Sequence, residues 1–341
     1  MGIYIKASEA VSCQDTFNKP ELFAEGIAVP ESRYRNCLLP DFKQYIDVRL
    51  LRRMSKVLRM GVATAKSCLD QAGLEQPDAI VVGTGLGCLD DTTKFLDLLI
   101  GNDEKMLNPT PFIQSTHNTI AGQIALMIRC KGYNLTFTQK NLSFETALMD
   151  ACMVLKDGEA GHVLVGGVDE LNDETAELMD LSGCIRTGDT TFYSEGATFF
   201  VLSASKEPGA IEVADMEIIN RAKDEEALQS RLQHFLGRNS LTLEDIDVLV
   251  SGENGSSVFD GHYRSMEQRM ENSHVVRYKH LTGEHQSASA FGMFLANNVL
   301  RNNAVPEPVL VRTGKSGDLK TALVFNYTKN EDFSFVLLSK N

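Results

Sequence analysis

Short apolar runs alternate with longer amphipathic stretches along most of the chain. Runs such as residues 79–82 and 162–165 are too short for helices and lack polar alternation, which is typical of strands buried on both faces. Further strands are expected over residues 135–138, 197–202, 211–219, 247–250, 322–325 and 334–338. Helical periodicity predicts helices over residues 50–72, 90–100, 118–129, 144–155, 224–236 and 288–300, with a loop at Pro109 and Pro111. The pattern predicts an α/β fold with strands between layers of helices.

The second part of the chain repeats the plan of the first. The strand at 247–250 runs into Ser251-Gly252-Glu253-Asn254-Gly255, much as the strand at 79–82 runs into Gly83-Thr84-Gly85-Leu86-Gly87. Similar order in both parts indicates an internal duplication. We therefore expect one half over residues 1–205 and the other over 206–341.

Composition and charge narrow the classes of protein. The 341 residues carry 33 Lys and Arg against 46 Asp and Glu, a net charge of −13, and 43% are hydrophobic. This excludes a disordered chain and a polybasic nucleic-acid binder. Seven scattered cysteines without a Cys-x-x-Cys pair favour reduced thiols over disulfides or a zinc ribbon. Without a membrane-spanning run or a signal-peptide pattern, we expect a cytoplasmic protein.

Basic residues are concentrated between Arg33 and Arg59, inside this acidic chain. Within the predicted helix, Arg49, Arg52, Arg53 and Lys56 are three, four or seven positions apart and are expected to share one face. Two interpretations remain open for this face. It is either a solvated helix surface or a docking patch for an acidic partner.

Two further motifs have an ordinary structural interpretation. The Gly83 to Gly87 turn has the glycine content of a dinucleotide-binding loop, but its spacing favours a tight turn from strand to helix. His280 and His285 do not have the helical H-E-x-x-H spacing of a zinc site, because Gly283 favours a turn between them. We therefore predict neither a metal nor a cofactor.

Several motifs in order resemble the β-ketoacyl-acyl-carrier-protein synthases of the thiolase superfamily. They are residues 52–73, the turn Gly83 to Gly87, Asn118-Thr119-Ile120-Ala121-Gly122, Glu195-Gly196-Ala197 and Lys279-His280-Leu281-Thr282-Gly283. The resemblance implies a thiolase-like fold, with two duplicated βαβαβ halves that form a five-layered αβαβα architecture. It also implies a chemistry based on a cysteine thiolate at a helix N-terminus and on two histidines.

The reactive residues of that family are replaced in this chain. The nucleophile position falls on Asn141, with Lys140 one residue away, and the two histidine positions fall on Gly252 and Glu284. The family lysine is retained as Lys279, but its usual acidic companion becomes Met293. His285 lies one position late, which on a helical segment turns a side chain by about 100°. An amide accepts no acyl group, so an intact catalytic triad is absent, and Lys140, Lys279 and His285 are possible residual groups.

The resemblance favours a non-condensing subunit that pairs with an active ketosynthase. Such a subunit resembles the chain-length factors of fatty acid, polyketide or aryl-polyene biosynthesis, with an acyl carrier protein as further partner and no nucleic acid. The strand at 135–138 and its flanks are the expected dimer interface. One alternative is a diverged acyltransferase or malonyl-carrier decarboxylase. Another is a homodimer that binds a small ligand, which large side chains such as Phe144 in the pocket would oppose.

Overall fold

The computed structural model describes residues 2–29, 32–183, 186, 188–221, 225–328 and 332–340. Up to residue 205 the strands are β1 (Tyr4–Val11), β2 (Tyr34–Arg35), β3 (Ala79–Gly83), β4 (Tyr133–Phe137), β5 (His162–Asp169), β6 (Tyr193–Ser194) and β7 (Gly196–Ser203). The helices of this part are α1 (Val48–Leu51), α2 (Lys56–Ala72), α3 (Leu89–Gly101), α4 (Pro109–Ser115), α5 (Thr119–Ile128), α6 (Ser143–Lys156) and α7 (Asp173–Leu181).

The remaining part has the same mixture of elements. Its strands are β8 (Ile211–Ile219), β9 (Val248–Ser251), β10 (His274–Arg277), β11 (Leu310–Arg312), β12 (Thr321–Tyr327) and β13 (Phe333–Lys340). Its helices are α8 (Glu225–Arg238), α9 (Asp260–Arg269), α10 (Lys279–Thr282) and α11 (Ser289–Asn302).

The strand order repeats between the two parts. In the first, β4, β3 and β5 are parallel, and β7 and then β1 continue the sheet in antiparallel pairings. In the second, β10, β9 and β12 are parallel, and β13 and then β8 follow in antiparallel pairings. We call these two groups of strands the first and second arrays. Strands β1 and β8 form two residue pairs with each other and so join the two arrays into one sheet. The duplicated α/β plan is confirmed, while a division at residue 205 stays a prediction.

Helices cover both arrays and also separate them, which gives five layers. Helices α6 and α11 lie in the middle, where buried side chains such as Phe144 and Phe291 pack in one apolar core. On the outside, α2 and α5 cover the first array through residues such as Val57 and Ile120. On the far side, α8 and α9 cover the second array through residues such as Phe235. Apolar burial on both sheet faces accounts for the unbroken apolar strands.

The helix predicted over residues 50–72 is wrong in its first turn. Asp47 caps the short α1 by accepting a hydrogen bond from the Arg49 N–H, and α2 begins only at Lys56, after the extended Ser55. The turn between them destroys the helical spacing of the basic residues. Arg49, Arg52, Arg53 and Lys56 therefore do not share one helical face.

Other local predictions were incomplete. The predicted loop at Pro109 forms the helix α4 instead, because Asn108 caps it and proline is tolerated in a first helical turn. Strand β1, α7, α9 and β10 were not predicted. The predicted helix over residues 224–236 is present as α8, although residue 224 lies outside the described part. None of the described helices is long and apolar enough to cross a membrane.

Candidate functional site

A cavity of about 220 Å³ lies at the carboxyl ends of β5 and β12. Polar groups on its wall come from the turn before α6, from the end of β5 and from the segment between α10 and α11. Its lining residues are Leu86, Asn141, Asp169, Glu170, Leu171, Met179, Gly183, Arg186, Tyr193, Ser194, Val258, Phe259, Glu284, His285, Gln286, Tyr327 and Thr328. Ends of parallel strands are a usual place for binding sites in α/β proteins.

The structure brings three of the predicted site residues to this cavity. Asn141, Glu284 and His285 all line it, although more than 140 residues separate the first from the others. Asn141 lies in a tight turn that precedes α6, the central helix. Lys140 does not belong to the site, because it is exposed and is not among the residues that line the cavity.

Gly252, which the resemblance predicts at the position of the first family histidine, has no room for a side chain. It is buried after β9, and its N–H donates to the Phe325 carbonyl oxygen at 3.2 Å. A Cβ atom at this position would lie 2.7 Å from the Tyr263 hydroxyl oxygen. That hydroxyl is itself fixed, because it donates to the Tyr327 carbonyl oxygen at 3.0 Å and accepts from the Tyr327 N–H at 2.7 Å. Tyr263 therefore fills the space that a residue-252 side chain would need.

Glu284, which the resemblance predicts at the position of the second family histidine, is held in an ion pair. Lys279 Nζ donates to Glu284 Oε2 at 2.8 Å and to Oε1 at 3.2 Å, and Asn254 Nδ2 donates to Oε2 at 2.7 Å. Lys279 is buried, and the neighbouring Glu284 carboxylate raises its pKa against the opposing effect of burial. The charges of Lys279 and Glu284 thus balance each other within the protein.

The polar network continues from Lys279 to the start of the central helix. Asn326 accepts from Lys279 Nζ at 3.3 Å and donates through Nδ2 to Glu145 Oε1 at 2.9 Å and to the Asn141 carbonyl oxygen at 3.3 Å. Ser334 also donates to Glu145 Oε1, at 2.9 Å. Burial raises the pKa of Glu145, and these hydrogen bonds oppose that rise. Asn141 is therefore tied through its backbone to the same rigid network as Glu284.

His285 lines the cavity but its ring is turned toward β6. Its Nδ1 lies 3.5 Å from Ser194 Oγ, and its Nε2 would lie 3.0 Å from a Cβ atom at Gly196. Burial, and secondarily the positive charge of Lys279, lowers the pKa of His285 to about 3. The imidazole is consequently uncharged near neutral pH.

The described cysteines do not line the cavity, and Cys184 lies outside the described residues. Burial raises the pKa of Cys13 to about 11 and that of Cys152 to about 12. Cys37 and Cys68 are fully buried, and burial raises their pKa values well above the usual range. Buried thiols of this kind are poor nucleophiles, because the thiolate is the reactive form.

The glycine-rich turn Gly83 to Gly87 holds a carboxylate of the protein itself. Asp169 Oδ1 accepts hydrogen bonds from Gly85 N at 2.8 Å, Leu86 N at 3.0 Å and Thr84 Oγ1 at 3.0 Å. The amides that a dinucleotide phosphate would need are therefore occupied. This geometry agrees with the interpretation of the segment as a structural turn. His280 is likewise in a structural contact, with Nε2 3.1 Å from the Pro308 carbonyl oxygen.

Glu170 is a buried acid on the cavity wall. Its two carboxyl oxygens accept from Asp90 N at 3.1 Å and from Val57 N at 3.3 Å. Burial and the nearby Asp90 carboxylate raise the pKa of Glu170 to about 7. The folded protein therefore holds a proton here that the unfolded chain releases at a pKa near 4.3. The resulting stabilisation is complete below that lower pKa and is lost as the pH rises through about 7.

The variant Glu170→Gln is expected to remove this dependence of stability on pH. Relative to the natural chain, its free energy of unfolding should increase by about 2–3 kcal/mol between pH 4.5 and pH 8. Urea unfolding at both pH values would measure the difference. The exposed Glu75 supplies the control, since Glu75→Gln should leave the pH profile unchanged. Equal profiles for Glu170→Gln and the natural chain would contradict the prediction.

The basic residues predicted to dock a carrier are separated by the structure. Arg49, Arg52 and Arg53 are exposed, and Arg49 pairs with Asp47 at 3.2 Å. Lys56 instead turns inward, where its Nζ lies 2.6 Å from Glu195 Oε2 and donates to the Leu171 carbonyl oxygen at 3.0 Å. A docking role for the three arginines stays a prediction, whereas the Lys56 charge is used within the fold.

Comparison with known proteins agrees with the fold and the motif order. Residues 42–180 match the family model of the β-ketoacyl synthase N-terminal domain. The ishigamide ketosynthase/chain length factor superposes on 100% of this chain and 99% of its own, with a TM-score of 0.81 and 16% identity. The chain has the thiolase-like fold of the ketosynthases.

The other proteins to which this chain is similar are distant in sequence. The ketosynthase ApeO in complex with its chain length factor ApeC, from Xenorhabdus doucetiae, matches with a TM-score of 0.77 and 14% identity over 100% of this chain and 98% of that chain. The 3-oxoacyl-[acyl-carrier-protein] synthase 2 of Vibrio cholerae serotype O1 is 24% identical over 137 residues. That match covers 38% of this chain and about a third (33%) of the synthase.

Sequence reasoning missed the roles of three residues that define this site. Asn254 binds Glu284, Tyr263 closes the space beside Gly252, and Asn326 joins Lys279 to Glu145. Asn254 lies within the segment Ser251 to Gly255 that follows β9, so its position at a strand end was a usable signal. Tyr263 gave none, because only the packing of α9 brings it to the site.

Proposed function

We propose that this chain is a non-condensing subunit, similar to a chain-length factor, that pairs in the cytoplasm with an active β-ketoacyl synthase. The proposal is supported by the combination of Asn141, Gly252 and Glu284 at the three positions that the resemblance predicts to be reactive. Asn141 offers an amide in place of a thiol, Gly252 is closed off by Tyr263, and Glu284 is bound by Lys279.

These groups cannot perform acyl transfer and condensation. An amide nitrogen does not form the thioester that a thiolate forms with an acyl chain. A carboxylate at Glu284 would repel both a malonyl carboxylate and a developing oxyanion, where condensation needs donors. The neutral His285 faces Ser194 and lies one residue beyond the required position.

The proposed partner is an active synthase, with an acyl carrier protein that delivers substrate to that partner. Support comes from two solved relatives whose descriptions name a ketosynthase together with a chain length factor. Fatty acid, polyketide or aryl-polyene assembly is the corresponding type of pathway. Phe144 is buried in the central core, 5.8 Å from the ring of Phe200, and does not line the cavity, so it does not decide against the small-ligand alternative.

Coexpression with a β-ketoacyl synthase encoded beside this chain tests the proposal. We expect a stable one-to-one complex in which malonyl and acyl carriers produce an acyl adduct on the synthase and none on this chain, as measured by intact mass. An Asn141→Cys variant is the positive control, because a thiol lining the cavity should react with iodoacetamide and show that an adduct there is detectable.

Two outcomes would contradict the proposal. A homodimer of this chain that condenses acyl and malonyl carriers without another synthase would show an active enzyme. Release of CO₂ from malonyl carrier by this chain alone, lost in Asn141→Ala and in His285→Ala, would favour the diverged decarboxylase instead.

A further inference from the structure

The hydrogen-bond donors around Glu284 are held in place by groups other than Glu284. Asn254 is oriented by its own Oδ1, which accepts from the Ser256 N–H at 3.0 Å. Lys279 begins α10 and also donates to Asn326 Oδ1 at 3.3 Å. Asn326 is in turn bound to Glu145. Because these two donors are positioned from different elements, their arrangement does not depend on the Glu284 side chain alone.

Together the donors form a site of the kind that binds a carboxylate. A buried ammonium and a side-chain amide converge on Glu284 Oε2 at 2.8 and 2.7 Å, and the ammonium also reaches Oε1. A buried ammonium needs an anionic partner, because an uncompensated charge in the interior is costly. Glu284 itself lines the cavity and keeps 12% of its side chain exposed. Removing that side chain would therefore leave the donors next to open space.

We propose that Glu284 is an internal ligand that occupies a carboxylate-binding site formed by Lys279 and Asn254, and that it excludes small carboxylates from the cavity. The proposal goes beyond pairing with a synthase, because it concerns the chain on its own. In the natural protein the Glu284 carboxylate occupies this site. A chain without the Glu284 carboxylate should bind a small monocarboxylate, such as formate or acetate, in the same place.

Thermal unfolding of the full chain with Glu284→Ala tests this inference. Sodium formate and sodium chloride would be titrated separately at matched ionic strength. We expect the variant to unfold at a lower temperature than the natural chain in chloride, because Lys279 loses its partner. Formate should then raise its unfolding temperature by about 2–4 °C or more, with a saturating dependence on concentration. The natural chain should respond equally to both salts.

Two variants separate specific binding from a general salt effect. Glu284→Gln fills the space without a charge, and the double variant Lys279→Met with Glu284→Ala removes the ammonium. Neither should show a formate response beyond that of chloride. A formate response of equal size in the double variant, or none in folded Glu284→Ala, would overturn the inference.

The test remains decisive if Glu284→Ala does not fold in chloride. The variant should then fold when refolded in formate, as measured by circular dichroism. Failure in both salts, while the double variant folds, would contradict the proposal. Because no synthase is present, failure here leaves the proposed pairing untouched, and failure to pair leaves the formate result untouched.

Discussion

Replacing Lys56 with methionine is expected to lower the free energy of unfolding by about 3 kcal/mol, whereas Arg52→Met should change it by less than about 0.5 kcal/mol. Lys56 pairs at 2.6 Å with Glu195, whose side chain is fully buried. Glu195 also accepts from Cys37 N at 3.1 Å and from Leu171 N at 3.0 Å. Without Lys56 the carboxylate would be left inside the protein with backbone donors only. Arg52 is exposed, so its loss removes little.

Urea unfolding of the two variants at neutral pH would measure this contrast. The double variant Lys56→Met with Glu195→Gln is the matched control, because it removes the unpaired charge. It should recover part of the stability lost in Lys56→Met. Equal stabilities for Lys56→Met and Arg52→Met would show that Lys56 belongs to the exposed basic surface after all.

Much of the fold could be predicted because apolar burial imposes a regular pattern. Strand β3 and helix α6 were expected within about two residues of their observed ends, since both are buried and strongly patterned. Strand β1 was not expected. It alternates buried and half-buried residues and lies between β7 and β8, which are distant from it in the sequence. The position of such a strand depends on its pairing with distant strands, and the local sequence pattern does not reveal that pairing.

The residues of the candidate site could likewise be predicted only in part. Asn141 and Glu284 could be assigned because motifs of fixed spacing lead to them, and both line the cavity. The hydrogen bonds that define their chemistry involve Asn254 and Asn326, which come from other elements. Lys56 shows the opposite error. Its spacing from the neighbouring arginines in the sequence predicted an exposed helix face. In the structure the turn after α1 directs its side chain toward Glu195.

The largest expected effect on assembly is at β4, where Leu135→Asp should strongly weaken pairing with the proposed synthase partner. Strand β4 is at one end of the sheet, and among the described residues no strand pairs with its outer side. Leu135 is 38% exposed there, and Leu126 of α5 is 72% exposed beside it. Met149 and Met153 of α6 add exposed apolar surface on the other side. An unpaired strand edge flanked by apolar helices is suited to a protein interface.

Val311→Asp provides a matched control for this change. Val311 lies in β11, the edge strand at the opposite end of the sheet, and is 49% exposed. Both substitutions place a charge on an exposed edge, so both chains should fold with similar unfolding temperatures. We expect Leu135→Asp to weaken the complex by about 2 kcal/mol or more, roughly thirtyfold in affinity, because a buried charge at an interface centre lacks a partner. Sedimentation of the copurified complexes would measure it. If Val311→Asp dissociates the complex and Leu135→Asp does not, the partner binds at the β11 edge and the β4 interface is wrong.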